Sequence, residues 1–191
     1  MGAWGGIIMG FFGAVFAALT LSGPAGVAGP AVFAPFIVSA VIGLAAARAL
    51  RLPGPGIAPS AAASRVIMWS SIAEGVGLFI AANLVTNLHH PEYLLPAMAL
   101  VVGLHFLPMG WAAAFAPFYL LGGALVLASA AGFVLAAPLG AEFSGGAAAL
   151  SLWLAASLAV AREQNARRGA GKSDHDHAGP VTVTGSSSNE D

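Results

Sequence analysis

Residues 66–87 read VIMWSSIAEGVGLFIAANLVTN, and Glu74 is the only charged residue among them. A run of about 20 predominantly apolar residues is long enough to cross the hydrocarbon core of a bilayer as a helix. Charged residues are also scarce in the rest of the chain. No Lys or Arg lies between Arg65 and Arg162, and residues 1–47 carry no charged side chain. Charged residues make up 8% of the chain, against about 25% in soluble domains. Since the mean hydropathy is +0.85, we expect the bilayer to be the solvent for most of this protein.

The composition excludes several classes of function. Seven basic residues cannot form the basic surface that a nucleic-acid-binding protein needs. The absence of cysteine excludes disulfides and thiolate metal sites. The only lysine is Lys172, in a polar C-terminal stretch, so no Schiff base forms inside the membrane. We therefore expect no cofactor, no bound metal and no nucleic-acid partner.

Apolar runs separated by Gly, Pro and polar residues predict six membrane-spanning helices. The predicted spans are 4–22, 30–50, 66–87, 92–108, 112–137 and 146–161. The fold class is then an all-α polytopic bundle over residues 1–161. The first span lacks the basic segment of a signal peptide, so we expect it to be a retained helix.

The basic residues predict the orientation of this bundle. They form two clusters, one from Arg48 to Arg65 and one from Arg162 to Lys172. Because basic residues beside spans favour the cytoplasmic side, both clusters should lie inside, with an even number of spans between them. We therefore expect a multi-pass protein of the inner cell membrane with both termini cytoplasmic and lipid as its main partner. A second copy of the chain remains open as a partner.

Residues 162–191 are rich in Gly, Ser, Asp and His and contain few large apolar residues. This composition predicts a disordered cytoplasmic tail. His and Asp alternate at residues 174–177, but such a short run in a polar tail is more typical of a solvated segment than of a metal site.

Glu74 and His105 are the two ionisable residues predicted inside the membrane, where such groups are costly and often functional. The helices that carry them are joined by a turn near residue 90, and the two residues lie at similar distances from that turn. We therefore expect them at nearly the same depth. A Glu–His pair could share one proton across the neutral pH range. The alternative is structural, with both side chains hydrogen-bonded to neighbouring helices and holding the bundle together.

Other polar residues fall nearer the predicted outer surface. Asn83 and Asn87 lie one turn apart on the helix of Glu74 and are further candidates for a transport path. His89, His90 and Glu92 form a polar cluster at the predicted outer mouth. Their spacing is not that of a helical zinc site, so an interfacial polar turn is the favoured interpretation. Met98 and Met109 share a helix face with His105, which favours packing over a metal or haem site.

The sequence Phe-Ala-Pro-Phe occurs twice, at residues 33–36 and 115–118. A repeat of three helices would relate helices 1–3 to helices 4–6 with inverted topology, an arrangement common in secondary transporters. Each proline would break its helix near the membrane and free backbone carbonyls.

The segment Gly103-Leu104-His105-Phe106-Leu107-Pro108, within residues 74–111, resembles part of a group of small bacterial multi-pass membrane proteins of unassigned function. The resemblance implies a helical membrane fold and supplies no activity or site.

Three functions stay open. A small transporter or channel-like protein for a small solute or protons would have Glu74 and His105 near its path. A non-catalytic accessory or assembly protein would explain the lack of a compact chemical motif. An enzyme acting on lipid, with Ser70 or Ser71 as nucleophile, ranks below both, and we expect the protein not to be an enzyme.

Overall fold

The computed structural model describes residues 2–177, with side chains for residues 2–170, and this part of the chain folds into six α-helices without a strand. The helices are α1 (Ala3–Ser22), α2 (Pro35–Leu50), α3 (Ala61–Asn87), α4 (Leu94–Ala112), α5 (Pro117–Val134) and α6 (Leu139–His177). Short 3₁₀ turns at Gly29–Phe33 and Pro91–Tyr93 precede α2 and α4. Each of the six helices is long and apolar enough to cross a membrane. The predicted six-helix all-α class is therefore confirmed.

Three prolines lie at positions in their helices that differ from those predicted from the sequence. Pro108, expected to end the fourth helix, lies inside α4, which continues to Ala112. Pro35 and Pro117, expected to interrupt their helices, instead occupy the first turn of α2 and α5. Proline is well tolerated there because the first N–H groups of a helix have no partner within it. The two Phe-Ala-Pro-Phe segments therefore each start a helix, and the residues before the prolines have nearly the same backbone angles.

The end of α6 also differs from the prediction. The helix continues through residues 162–177, where we expected a disordered tail to begin. Ala, Arg, Glu and Gln, which are strong helix formers, dominate residues 161–168. In addition, Glu163 and Arg167 form an i, i+4 ion pair, with 2.7 Å between Oε1 and Nε. The remainder of the predicted tail, residues 178–191, lies outside the described residues, as do the side chains of the His/Asp run.

Small residues let the helices approach closely, as is usual where lipid removes the hydrophobic drive for association. α4 and α5 cross where a Cβ on Gly122 would lie 2.8 Å from the carbonyl oxygen of Gly103. α1 packs on α6 in a similar way, since a Cβ on Gly13 would lie 2.7 Å from the ring of Trp153. The indole of Trp153 also donates a hydrogen bond to the carbonyl of Gly10 at 3.2 Å. The largest fully buried side chains are those of Phe16, Phe118, Leu125 and Leu152.

α3 lies at the periphery of this bundle. It packs mainly on α4, and no residue of its most apolar window is buried. Its outward side chains, among them Trp69, Phe79 and Ile80, are well exposed. Glu74 lies on the other face of this helix, which packs against α4.

The chain segments that carry the basic residues meet at one end of the bundle, which we call the basic end. Gly2, Gly56 and Glu163 come together there, since a side chain added at either glycine would collide with the Glu163 carboxylate. The start of α1, the α2–α3 loop and the distal part of α6 therefore lie at the same end. This arrangement agrees with the even number of spans inferred between the two basic clusters. Which side of a membrane this end faces remains a prediction.

Candidate functional site

Glu74 of α3 and His105 of α4 face each other near the middle of their helices. Oε2 of Glu74 lies 3.6 Å from Nε2 of His105, and only 14% and 7% of the two side chains is exposed. This separation is within ion-pair range but beyond hydrogen-bond length, so a small side-chain shift would bring the two atoms into direct hydrogen bonding. Glu74 and His105, which the sequence predicted at the same depth, therefore face each other in the structure.

Ser70 holds the other nitrogen of the same imidazole ring. Its Oγ lies 2.9 Å from Nδ1 of His105 and donates a hydrogen bond to the backbone carbonyl of His105 at 3.2 Å. Nδ1 also lies 3.1 Å from the backbone carbonyl of Ser70. Because Ser70 and Glu74 are one helical turn apart, both reach the His105 ring from the same face of α3. Ser70 was considered only as a nucleophile from the sequence, and its i, i+4 spacing from Glu74 is the signal that could have joined it to the pair.

A cavity of about 700 Å³ lies between α3 and α4, and we call it the groove. Its polar lining comes from Arg65, Ser70, Glu74 and His105. The walls are largely apolar and include Trp69, Ala73 and Gly77 of α3 and Val101, Leu104 and Pro108 of α4. The groove thus begins with Arg65 at the basic end and reaches one turn past Glu74.

A second, smaller cavity lies on the other side of the same pair. It has a volume of about 60 Å³ and is lined by Ser71, Glu74, His105, Met9 and Leu152, among others. It reaches α1 and α6, whereas the groove is bounded by α3 and α4. Glu74 and His105 therefore stand between the groove and a small pocket where α3 and α4 meet α1 and α6.

Pro108 adds a backbone acceptor near the pair. Proline has no N–H, so within α4 the carbonyl of Leu104 lacks its usual i+4 donor. Leu104 lines the groove and is adjacent to His105. Glu74 and Leu104, which both line the groove, thus carry a carboxylate and a backbone carbonyl that lacks its usual helical donor.

The remaining predicted site residues lie elsewhere. Asn83 is exposed, and its amide donates to the carbonyl of Phe79 in its own helix at 2.7 Å. Asn87 is also exposed, at the end of α3. Neither amide lines the groove, so the structure does not bring them to the Glu74–His105 pair.

The predicted outer-mouth cluster forms at the opposite end of the bundle from Arg65. Nδ1 of His90 lies 2.9 Å from Oε1 of Glu92, and both side chains are substantially exposed. His89 is exposed and has a positive φ of 57° at the turn after α3. An exposed ion pair of this kind contributes little to stability, which fits an interfacial polar turn.

Glu163 is a buried charge that the sequence reasoning missed, because it was assigned to the tail. Only 3% of its side chain is exposed. It accepts hydrogen bonds from Nε of Arg167 and from the backbone N–H of Ile57. Arg167 in turn donates to the carbonyls of Leu52 and Gly54. The pair therefore ties the loop that leads into α3 to the side of α6.

No protein-family model, curated protein or solved structure matches this chain. The resemblance of the Gly103–Pro108 segment to small bacterial membrane proteins remains a prediction.

Proposed function

We propose that this protein is a small membrane transporter that moves protons, or a small solute together with protons, and that Glu74 and His105 carry the proton. The observation that supports this most directly is the 3.6 Å approach of Oε2 to Nε2 with a cavity on each side of the pair. Ionisable side chains inside a membrane are costly and typically mark ion or substrate pathways. One carboxyl and one imidazole at this distance can pass a proton between them, and the proton can reside on either group.

The chemistry of the groove favours a particular class of solute. Its walls are apolar, while two of its lining residues, Glu74 and Leu104, carry a carboxylate and a backbone carbonyl without its usual helical donor. A small, largely apolar molecule with N–H or O–H donors, or with a positive charge, would satisfy both. Binding of a positive charge would also compete with the proton on Glu74, which is the simplest way to couple solute movement to proton movement.

For a proton or solute to pass from the groove to the end of the bundle opposite the basic end, α3 must move relative to α4. The groove extends no further in that direction than Gly77, where a methyl group of Val101 occupies the space a Cβ would need. α3 packs mainly on α4 and has few other contacts to break. We therefore propose that a shift of α3 exposes the Glu74–His105 pair alternately to the two ends.

Proton flux into proteoliposomes tests this function. With a pH gradient across liposomes that contain a pH-sensitive dye, the wild-type protein should dissipate the gradient faster than protein-free liposomes. Glu74→Gln and His105→Gln should reduce the rate to that of protein-free liposomes. Glu142→Gln is the matched control, because it removes a carboxylate from the first turn of α6, outside the groove. Wild-type flux in Glu74→Gln, or no flux with the wild type, would contradict transport and favour the non-catalytic accessory role.

The 2.9 Å approach of Ser70 Oγ to Nδ1 of His105 raises a second candidate, a hydrolase acting on lipid within the groove. A serine nucleophile also needs donors for the developing oxyanion. Ser70 and His105 both lie in helix interiors, where backbone N–H groups are already used by the helix. We therefore rank this candidate below transport. A fluorophosphonate probe should leave Ser70 unlabelled, and labelling that is lost in Ser70→Ala would reverse the ranking.

A further inference from the structure

The residues that line the groove include one basic and one acidic side chain. Arg65 lines it at the basic end, and Glu74 lines it beside His105. Within residues 2–170 the Arg65 side chain has no hydrogen-bond or ion-pair partner, whereas Arg167 at the same end is paired with Glu163. When Glu74 is ionised and His105 is neutral, the lining of the groove therefore carries one charge of each sign and no net charge. A solute with one carboxylate and one ammonium group is complementary to it.

Arg65 and Glu74 lie at opposite edges of the α3 surface that borders the groove. At 3.6 residues per turn, the nine positions from 65 to 74 rotate the side chains about half a turn apart. Val66, Ala73 and Gly77, which also line the groove, lie at intermediate angles. The same nine positions correspond to about 13–14 Å along the helix axis. A solute that contacts both charged residues therefore lies obliquely along the apolar wall between them.

This separation selects the length of the solute. A single free amino acid carries its carboxylate and ammonium on one carbon atom, so it is too short to contact both residues. Three residues of extended peptide span at most about 10–11 Å, and a charge-assisted hydrogen bond adds about 3 Å at each end. A tripeptide is therefore long enough to reach from Arg65 to Glu74. The groove volume of about 700 Å³ is also within the range usual for small-molecule sites.

We infer that the groove binds an apolar zwitterion about the length of a tripeptide, with its carboxylate at Arg65 and its ammonium group at Glu74. This inference rests on the proposed transport function and names the class of solute that moves. The apolar part of the solute lies against the wall that includes Trp69, Ala73 and Leu104. The ammonium group and the proton compete for Glu74, so the solute and the proton exchange at this residue.

Isothermal titration calorimetry at neutral pH, with the full-length protein in lipid nanodiscs, tests the inference with three forms of one peptide. The probes are Ala-Leu-Ala, its C-terminal amide and its N-acetyl derivative, and empty nanodiscs give the background. Loss of either charge should weaken binding to the wild type about ten- to hundred-fold, as expected for one charge-assisted hydrogen bond. Free leucine, which is too short, should bind no better than either derivative. Equal affinity for the three peptides would overturn the inference.

Two variants assign each charge of the peptide to its residue. In Arg65→Gln the free peptide and its amide should bind equally, and in Glu74→Gln the free peptide and its N-acetyl derivative should bind equally. Each variant should still discriminate against the other derivative, which also shows that it is folded. Arg51→Gln is the matched control and should keep the wild-type order, because Arg51 is an exposed basic residue that does not line the groove. A preference for the free carboxylate that survives in Arg65→Gln would overturn the assignment.

The proton flux of the same proteins separates this inference from the proposed function. Flux that depends on Glu74, in a protein that does not distinguish the three peptides, would overturn the zwitterion site and leave proton transport standing. The predicted pattern of peptide binding in a protein that moves no protons would support the zwitterion site and overturn transport.

Discussion

Nε of Arg167 donates a hydrogen bond of 2.7 Å to Oε1 of Glu163, and the two side chains together hold the loop before α3. Glu163 accepts from the N–H of Ile57, and Arg167 donates to the carbonyls of Leu52 and Gly54. The loop is thereby anchored to α6 at the basic end, although α3 itself packs mainly on α4. A fixed loop beside a loosely packed helix is the arrangement expected of a hinge.

Glu163→Ala should lower the free energy of unfolding by about 3 kcal/mol, since it leaves Arg167 partly buried without its carboxylate. Denaturant unfolding in detergent, followed by tryptophan fluorescence, measures the loss. Arg168→Ala, which removes an exposed neighbouring charge, should change the free energy of unfolding little. Equal stability of Glu163→Ala and wild type would mean that the ion pair does not hold the loop.

Gly122→Ala should destabilise the protein by about 1–3 kcal/mol, because its Cβ would meet the backbone carbonyl of Gly103 at 2.8 Å and push α4 and α5 apart. The adjacent Gly123→Ala is the matched control, since nothing lies within 4 Å of its added Cβ. It should be neutral or stabilise α5 by up to about 1 kcal/mol, as alanine favours the helix. Thermal unfolding of the two variants compares them directly, and the same melting temperature for both would contradict this helix crossing.

A disulfide between α3 and α4 should stop flux if α3 moves. In Gly77→Cys/Val101→Cys the two Cβ atoms would lie about 3.9 Å apart, close to the mean of about 3.8 Å in disulfides. The chain contains no other cysteine, so oxidation creates one defined cross-link.

The comparison is made within the same double variant, oxidised and then reduced. Oxidation should abolish proton flux and a reductant should restore it, while the cysteine-free wild type should respond to neither reagent. Flux that is equal in the two redox states would show that proton movement does not require α3 to separate from α4.

The amino-acid sequence alone determined the class of this protein and the number of its spans. The scarcity of charge between Arg65 and Arg162 and the length of the apolar runs were sufficient, because a bilayer allows a spanning chain few structures other than a helix. The near-equal spacing of Glu74 and His105 from the turn also predicted their common depth. Helix ends were less predictable. A proline can lie in the first turn of a helix, as Pro117 does, or in the interior of a membrane helix, as Pro108 does.

Only the tertiary structure decided which polar groups touch. Depth follows from position along a helix, but the direction in which a side chain points depends on how α3 is rotated against α4. That rotation brings Ser70 and Glu74 to the His105 ring and leaves Asn83 bonded to its own helix. The burial of Glu163 was also decided only by the tertiary structure, because it depends on the long-range contact of residue 163 with the 52–57 loop. Helix rotation and long-range contacts are set by packing between helices. The nearly uniform apolar composition of these helices carries little information about that packing.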